Sequence, residues 1–372
     1  MKKIGCITFH ASHNYGSNLQ AYALQEFIND NYDCSYEIIN LRTYNQMYMY
    51  NLCFNKKNFK SILKSLLLFR YKKNLLMKYD KYENFINNRL NITNKTYRTL
   101  DELKKEKFLY DCFISGSDQI WNLAPKDFDW SYYLEFAKNC KKISYAASFG
   151  PIKQIWSEQD IARVKKNLNE YNYISVREEE SYNNVKKLIG KEAIINVDPT
   201  MLLTENKWNE IINEEKFQTG DYIFFYDLKN DKKVYKMINQ ISKLLKLPVV
   251  VTQENSNTIF SNYIKRFDAG PEDFLNLIKN AKLVLSTSFH GNVFSIIFKK
   301  PFFAVNGDSD YRINTLLKTM NLDKRTINNE NFKYRVLDAF NIDFKESIRL
   351  LDEEIRKSRN YLDNSINDKR MR

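Results

Sequence analysis

The chain has 372 residues, and 58 basic against 45 acidic side chains leave a formal net charge of +13. Hydrophobic residues at 43% and aromatics at 15% can fill two cores, which excludes global disorder, and the length suits two domains. No stretch approaches 18 consecutive apolar residues, which excludes a spanning helix, and the start Met1-Lys2-Lys3-Ile4-Gly5-Cys6-Ile7 is too soon interrupted by His10 and His13 to read as a secretory signal.

In chain order, strand-like runs alternate with amphipathic helical ones. Ile4–Phe9 reads as a buried strand, followed by the loop His10–Ser17 and a helix over Asn18–Asn29. Glu37–Asn40, Asp111–Ser115, Ile143–Ser148, Tyr173–Val176 and Ile194–Val197 continue the strand series, with helices at Ser157–Glu170 and Glu178–Leu188. A second alternation begins at the strand Tyr222–Asp227 and the helix Lys232–Leu245. It runs through the strand Pro248–Thr252, the helix Glu272–Asn280, the strand Lys282–Ser286, the helix Asn292–Lys299 and the strand Phe302–Asn306. Phe344–Leu362 has a helical pattern of mixed charge. Strands alternating with helices imply βαβ units and parallel sheets. Two such series predict an α/β protein of two Rossmann-like, doubly wound domains facing a cleft: 1–205 with a basic helical insertion at 42–78, 206–342, and a C-terminal helix over 343–372.

The five cysteines (Cys6, Cys34, Cys53, Cys112, Cys140) form an odd set without a CxxC pair and read as reduced thiols of a cytoplasmic protein. With three histidines in all, no metal site and no resident cofactor are expected.

Between Glu37 and Asp80 there is no carboxylate, while Arg42, Lys56, Lys57, Lys60, Lys64, Arg70, Lys72, Lys73 and Lys78 all fall there. Phe59, Ile62, Leu63, Leu66 and Leu67 recur beside those lysines at helical spacing. Such a helix either packs on the first domain with a solvated lysine face or lies on an anionic membrane surface. No nucleic-acid-binding motif accompanies the cations, so a nucleic-acid partner is not expected.

Only nine glycines occur, and Gly16, Gly116, Gly150, Gly270, Gly291 and Gly307 fall where a strand pattern hands over to a helix pattern. In an open α/β sheet those turns lie at the carboxyl ends of the strands, where ligands bind. The strongest is Ser286-Thr287-Ser288-Phe289-His290-Gly291, a strand-to-helix turn with free N–H groups and a positive dipole end. A lone histidine is more often structural. At such a turn, however, His290 is a candidate acid/base, since imidazole exchanges protons near neutral pH. Gly116-Ser117-Asp118-Gln119 offers a carboxylate for a hydroxylated ligand. Arg177 reads equally as a bidentate anion clamp or a helix-start ion pair beside Glu178. His13-Asn14-Tyr15 forms a plausible acceptor edge, and Arg312 is a further anion candidate.

Taken in order, His13-Asn14-Tyr15-Gly16, Ser115-Gly116-Ser117-Asp118-Gln119-Ile120-Trp121-Asn122, Ser144-Tyr145-Ala146-Ala147-Ser148-Phe149-Gly150, Ser175-Val176-Arg177-Glu178, Val197-Asp198-Pro199-Thr200, Gly270-Pro271-Glu272-Asp273-Phe274 and Ser288-Phe289-His290-Gly291 resemble the polysaccharide pyruvyl transferase family. The resemblance implies two domains arranged as in GT-B glycosyltransferases. It implies transfer of an enolpyruvyl-derived group from phosphoenolpyruvate (PEP), as donor substrate, to a sugar acceptor as a cyclic ketal. It maps the family's PEP-binding arginine and histidine onto Arg177, in the first domain, and His290, in the second, and the expected donor site joins them with Ser288, Phe289, Gly291 and Arg312 of the second domain. The acceptor falls on the first, at His13, Asn14, Tyr15, Gly116, Ser117, Asp118 and Gln119, with His290 and Asp118 catalytic and no metal. Relatives often carry Arg-Leu-His where this chain has Ser288-Phe289-His290, so Arg312 or the backbone N–H groups of the turn are expected to replace the missing arginine. A lipid-linked acceptor fits the cationic stretch and a peripheral place on the inner face of the plasma membrane. The competing expectations are a GT-B glycosyltransferase using a nucleotide sugar, and a non-catalytic membrane-associated scaffold.

Overall fold

In a computed structural model, which describes residues 1–50, 69–150, 156–212 and 220–368, the chain forms two compact units. The first comprises Met1–Tyr50, Phe85–Leu203 and Arg349–Arg372; the second comprises Asn51–Asn84 and Thr204–Ile348.

The first unit is built on the parallel strands β1 (Lys2–Ile7), β2 (Cys34–Ile38), β3 (Cys112–Ser115) and β4 (Lys141–Ser144), in the order β2-β1-β3-β4. The short pair β5 (Ser175–Val176) and β6 (Ile194–Ile195) continues it through parallel bridges Ile143 to Tyr173 and Ala147 to Val176. β3 and β4 are buried on both faces, as parallel strands covered by helices must be. The helix Tyr15–Asn31 starts where Asn14 accepts a hydrogen bond from the Ser17 N–H, and the helix Glu179–Ile189 ends at Gly190 in the left-handed conformation. Trp121, fully buried, stacks on Tyr133, packs tilted against Phe149 and meets Tyr171 edge-on.

The second unit carries β7 (Ile223–Tyr226), β8 (Val249–Val251), β9 (Ile264–Lys265), β10 (Leu283–Ser286), β11 (Phe302–Val305) and β12 (Thr326–Ile327) in the order β12-β11-β10-β7-β8-β9, all parallel. Ile223, Phe225, Val249, Leu283, Leu285 and Phe303 fill its core against the helix Lys232–Leu245. Strand order reverses between β1 and β3 in the first unit and between β7 and β10 in the second. Each reversal leaves a crevice at the carboxyl ends of those strands.

Two expected boundaries are corrected. The insertion placed at 42–78 in the first domain is not one piece. On the helix Lys72–Arg89, Leu75 packs into the second unit's core, and Lys78 and Lys81 pair with Glu254 at 2.9 Å and Asp273 at 2.6 Å. The amphipathic run from Phe59 to Leu67 lies outside the described residues. The C-terminal helix, Lys345–Asn367, is not a separate closing element. Its Tyr361 hydroxyl donates to the Ser144 carbonyl at 2.7 Å, which seals the first sheet. Among the described residues no helix is long and apolar enough to cross a membrane, and Cys6, Cys34, Cys112 and Cys140 are free thiols.

Candidate functional site

At the first reversal, the turn after β3 meets the turn after β1. Ser17 Oγ donates to Asp118 Oδ2 at 2.7 Å, and Asp118 adopts a left-handed φ of 75°. Ala146, whose carbonyl accepts from Ser117 Oγ at 3.0 Å, is also left-handed, with φ 48°. Two non-glycine residues in that region store backbone strain, of order 1–3 kcal/mol each, where the surroundings hold them. The surroundings here are ionic. The Arg177 guanidinium lies 2.8 Å from Asp198, 3.5 Å from Asp118 and 3.7 Å from Glu178, with its side chain 1% exposed. Burial pulls Arg177 toward neutrality, but the three carboxylates outweigh it and raise its affinity for the proton. Asp198 also accepts from Ser117 Oγ at 3.0 Å and from the Thr200 hydroxyl at 2.7 Å; Glu178 accepts from Ser148 at 2.8 Å and from Ser181.

Arg177 is therefore an internal counter-ion rather than an open clamp. This matches the ion-pair reading of Arg177, with Asp198 and Asp118 joining the expected Glu178. Ser117 and Tyr15, both fully or nearly fully buried, likewise shape the turn from within instead of facing an acceptor. Asn14 caps a helix, and Gln119 accepts from Asn122 at 3.1 Å. Gly116 lets its turn approach Thr8, whose Cβ would lie 2.8 Å from an added Cβ. His13 is half-buried, with its ring stacked 5.2 Å from Tyr50, and Asp118 is 7% exposed.

Sequence reasoning missed Tyr50, Ser12 and Asp127. The Tyr50 hydroxyl is pushed up to about 12, by burial first and then by Asp127 and Asp118, while a hydrogen bond with Ser12 opposes the shift. Burial also raises the Asp127 carboxyl, and the Asp118 charge adds to it. The cluster joins a phenol, an imidazole and two carboxylates, groups that recognise hydroxyls.

At the second reversal, Ser288 caps the helix Phe289–Ile297 and makes no side-chain bond to it, and no acidic residue lies in its first turn. The Ser288 N–H donates to Ser286 Oγ at 3.0 Å, which fixes the turn. His290 stands in that first turn, 6% exposed, edge-on to the Phe289 ring at 5.2 Å. Gly291 is required for close approach, since an added Cβ would lie 2.2 Å from Ser286 Oγ. Asp227, also missed although it directly follows the run Ile223–Tyr226, ties the two turns together. It accepts from Thr287 Oγ1 at 2.9 Å and from the N–H groups of Lys229 and Asn230 at 2.9 and 2.8 Å. Arg312 forks onto Asp310 at 3.0 and 2.7 Å. Arg312, one of the two expected replacements for the missing arginine, is thus already ion-paired.

A model of the polysaccharide pyruvyl transferase family matches residues 14–309, most of the chain and all but the outermost of these turns. The chain belongs to the polysaccharide pyruvyl transferase family. It is thus a transferase of polysaccharide pyruvylation, built from two Rossmann-like units. No curated protein matches significantly. Among solved structures, S. aureus MnaA in a complex with UDP is similar over 99% of this chain and 97% of its own, at 11% identity and TM-score 0.57. The UDP-GlcNAc 2-epimerase of Methanocaldococcus jannaschii, in complex with UDP-GlcNAc and UDP, is similar over 95% and 99%, at 14% identity and TM-score 0.52. These likenesses establish a GT-B-like fold.

Proposed function

We propose that this transferase moves the enolpyruvyl-derived group of PEP onto a sugar of a bacterial surface glycan and closes it as a cyclic pyruvate ketal. The observation that supports this reading is His290 in the first turn of the helix Phe289–Ile297 at a topological switch point, within a chain of this family. PEP brings a phosphate and a carboxylate. The positive dipole end of the helix Phe289–Ile297, with no acidic residue in its first turn, and the Ser288 hydroxyl suit one of them. His290 protonates the methylene carbon of PEP, which makes its C2 electrophilic. One sugar hydroxyl adds to C2, the C2–O bond to phosphate breaks, and a second hydroxyl adds to C2 to close the ketal. Of the two hydroxyl protons, one ends on the new methyl group and the other on phosphate. Asp118, held by Ser17 and Arg177, accepts a proton from the attacking hydroxyl, and the His13, Tyr50 and Asp127 group receives the sugar. Arg177 is a positioning residue in this scheme. The cation-rich stretch supports an acceptor carried on a lipid at an anionic membrane surface.

The test compares PEP with UDP-sugars by thermal shift and then measures phosphate release from PEP with acceptor. PEP raises the melting temperature, as a ligand binding only the native state must. His290→Gln lowers turnover by about 10²–10⁴-fold at unchanged stability. Stabilisation by a UDP-sugar and not by PEP would instead assign a glycosyltransferase, and stabilisation by neither would favour a non-catalytic scaffold.

A further inference from the structure

A cavity of about 660 Å³ opens on the second unit, lined in part by Asp323, Lys324, Tyr334, Arg335, Asp338 and Asn341. Asp323–Arg325 lead directly into β12, so the cavity lies at the amino end of that strand. The turn bearing His290 follows the carboxyl end of β10. Because β10, β11 and β12 are parallel, the two sites stand at opposite ends of one sheet.

The floor is built and held. Arg325, 7% exposed, donates to the carbonyls of Ala339 at 3.1 Å and Asn341 at 2.6 Å and lies 5.1 Å over the Phe303 ring. Arg335 donates to the Lys324 carbonyl at 3.3 Å. Phe332, Val336 and Ala339 point into the core, and helical spacing then leaves Tyr334, Arg335 and Asp338 outside. Tyr334 is 78% exposed.

The volume lies in the range of small-ligand sites. Three aspartates, Asp323, Asp338 and Asp343, balance Lys324, Arg325 and Arg335 around it. No net field therefore selects an ionic ligand or an anionic lipid. What the walls present is planar: carboxylates, guanidinium groups and side-chain amides, which pair with neighbouring hydroxyls two at a time. An exposed aromatic face adds the flat apolar surface on which the C–H face of a pyranose packs. We propose that this cavity is a second carbohydrate site, which holds a run of sugar rings of the acceptor glycan away from the reacting hydroxyls. The identity of the glycan as acceptor rests on the function proposed above; the binding itself does not involve PEP or His290.

The test uses the full chain on a printed array of bacterial surface oligosaccharides, followed by affinity measurement with the strongest oligosaccharide. Wild type, Tyr334→Phe and His290→Gln bind alike, whereas Tyr334→Ala and Asp338→Asn each lose about tenfold or more in affinity at unchanged melting temperature. Binding that is the same in Tyr334→Ala as in wild type, or the absence of any bound oligosaccharide, overturns the proposal. The PEP thermal shift is read separately, so the donor assignment and this site can fail independently.

Discussion

Burial lifts the Asp127 carboxyl above the ordinary carboxylate range, and the neighbouring Asp118 charge lifts it further, while Ser12 and the residue's own backbone N–H oppose the shift. The folded chain therefore favours the protonated form more than the unfolded chain does. The stabilising contribution of that group is complete in acid, below the unfolded value, and is lost as pH rises through the raised folded value. At neutral pH the charged carboxylate destabilises the fold, and Asp127→Asn is expected to raise the melting temperature there. The gain should shrink toward about pH 4, where the carboxyl is becoming neutral in both states. Melting curves across that range check it, and a lower melting temperature for the variant at neutral pH would show that the charged form is needed. Nothing in the sequence marks Asp127, which stands in no motif and meets its partners only through the fold. The same holds for the surroundings of Arg177. Glu178 is adjacent, but Asp118 and Asp198 come from turns far away in sequence, so the chain announces an arginine at a strand end without saying that it is already neutralised.

Elements that bury a continuous apolar run were legible: β1, β7, β10 and β11 fall within a few residues of where their hydrophobic runs place them, and the helix Lys232–Leu245 falls where its spacing does. The two-residue strands β9 and β12 were not, because Ile264–Lys265 and Thr326–Ile327 are too short to show a period. The helix Lys72–Arg89 went unread because its first part sits in a cation-rich stretch that reads as surface. Turns carried the clearest signal, since scarce glycines mark close approach. At Gly291 that approach is testable. An alanine Cβ would lie 2.2 Å from Ser286 Oγ and 2.9 Å from Ser286 Cβ, and the same Oγ receives the Ser288 N–H and donates to the Tyr226 carbonyl at 3.1 Å. Gly291→Ala should push the first turn of the helix off β10. Urea unfolding is expected to show a loss of about 1–3 kcal/mol, as overpacking in a closed site does. Removing the obstacle in Gly291→Ala with Ser286→Gly should recover part of it. A single variant as stable as wild type would mean that the turn is looser than its geometry implies.

For the whole molecule, the net charge of +13 and the sequence pI near 9.2 favour anionic partners, and the cations are unevenly distributed. Within the described part of the carboxylate-free stretch, Phe69 is 67% exposed, Leu76 43% and Met77 39%, and Arg70, Lys72 and Lys73 are exposed beside them. Leu75 is buried in the second core, so this outer face is left to solvent by the packing of its own helix. Apolar side chains rimmed by cations suit the boundary of an anionic bilayer, where each lysine or arginine contributes about 1 kcal/mol. Sedimentation with vesicles should therefore show binding to phosphatidylserine-containing vesicles and little to pure phosphatidylcholine. The bound fraction should fall steeply as salt shortens the Debye length toward about 3 Å at 1 M. Replacing Arg70, Lys72 and Lys73 together by glutamate leaves the core residue Leu75 in place, so the fold should survive while binding drops by about tenfold or more. Equal partitioning of that variant and wild type, or binding indifferent to lipid charge, would remove the membrane from the function and leave a glycan acceptor met in solution.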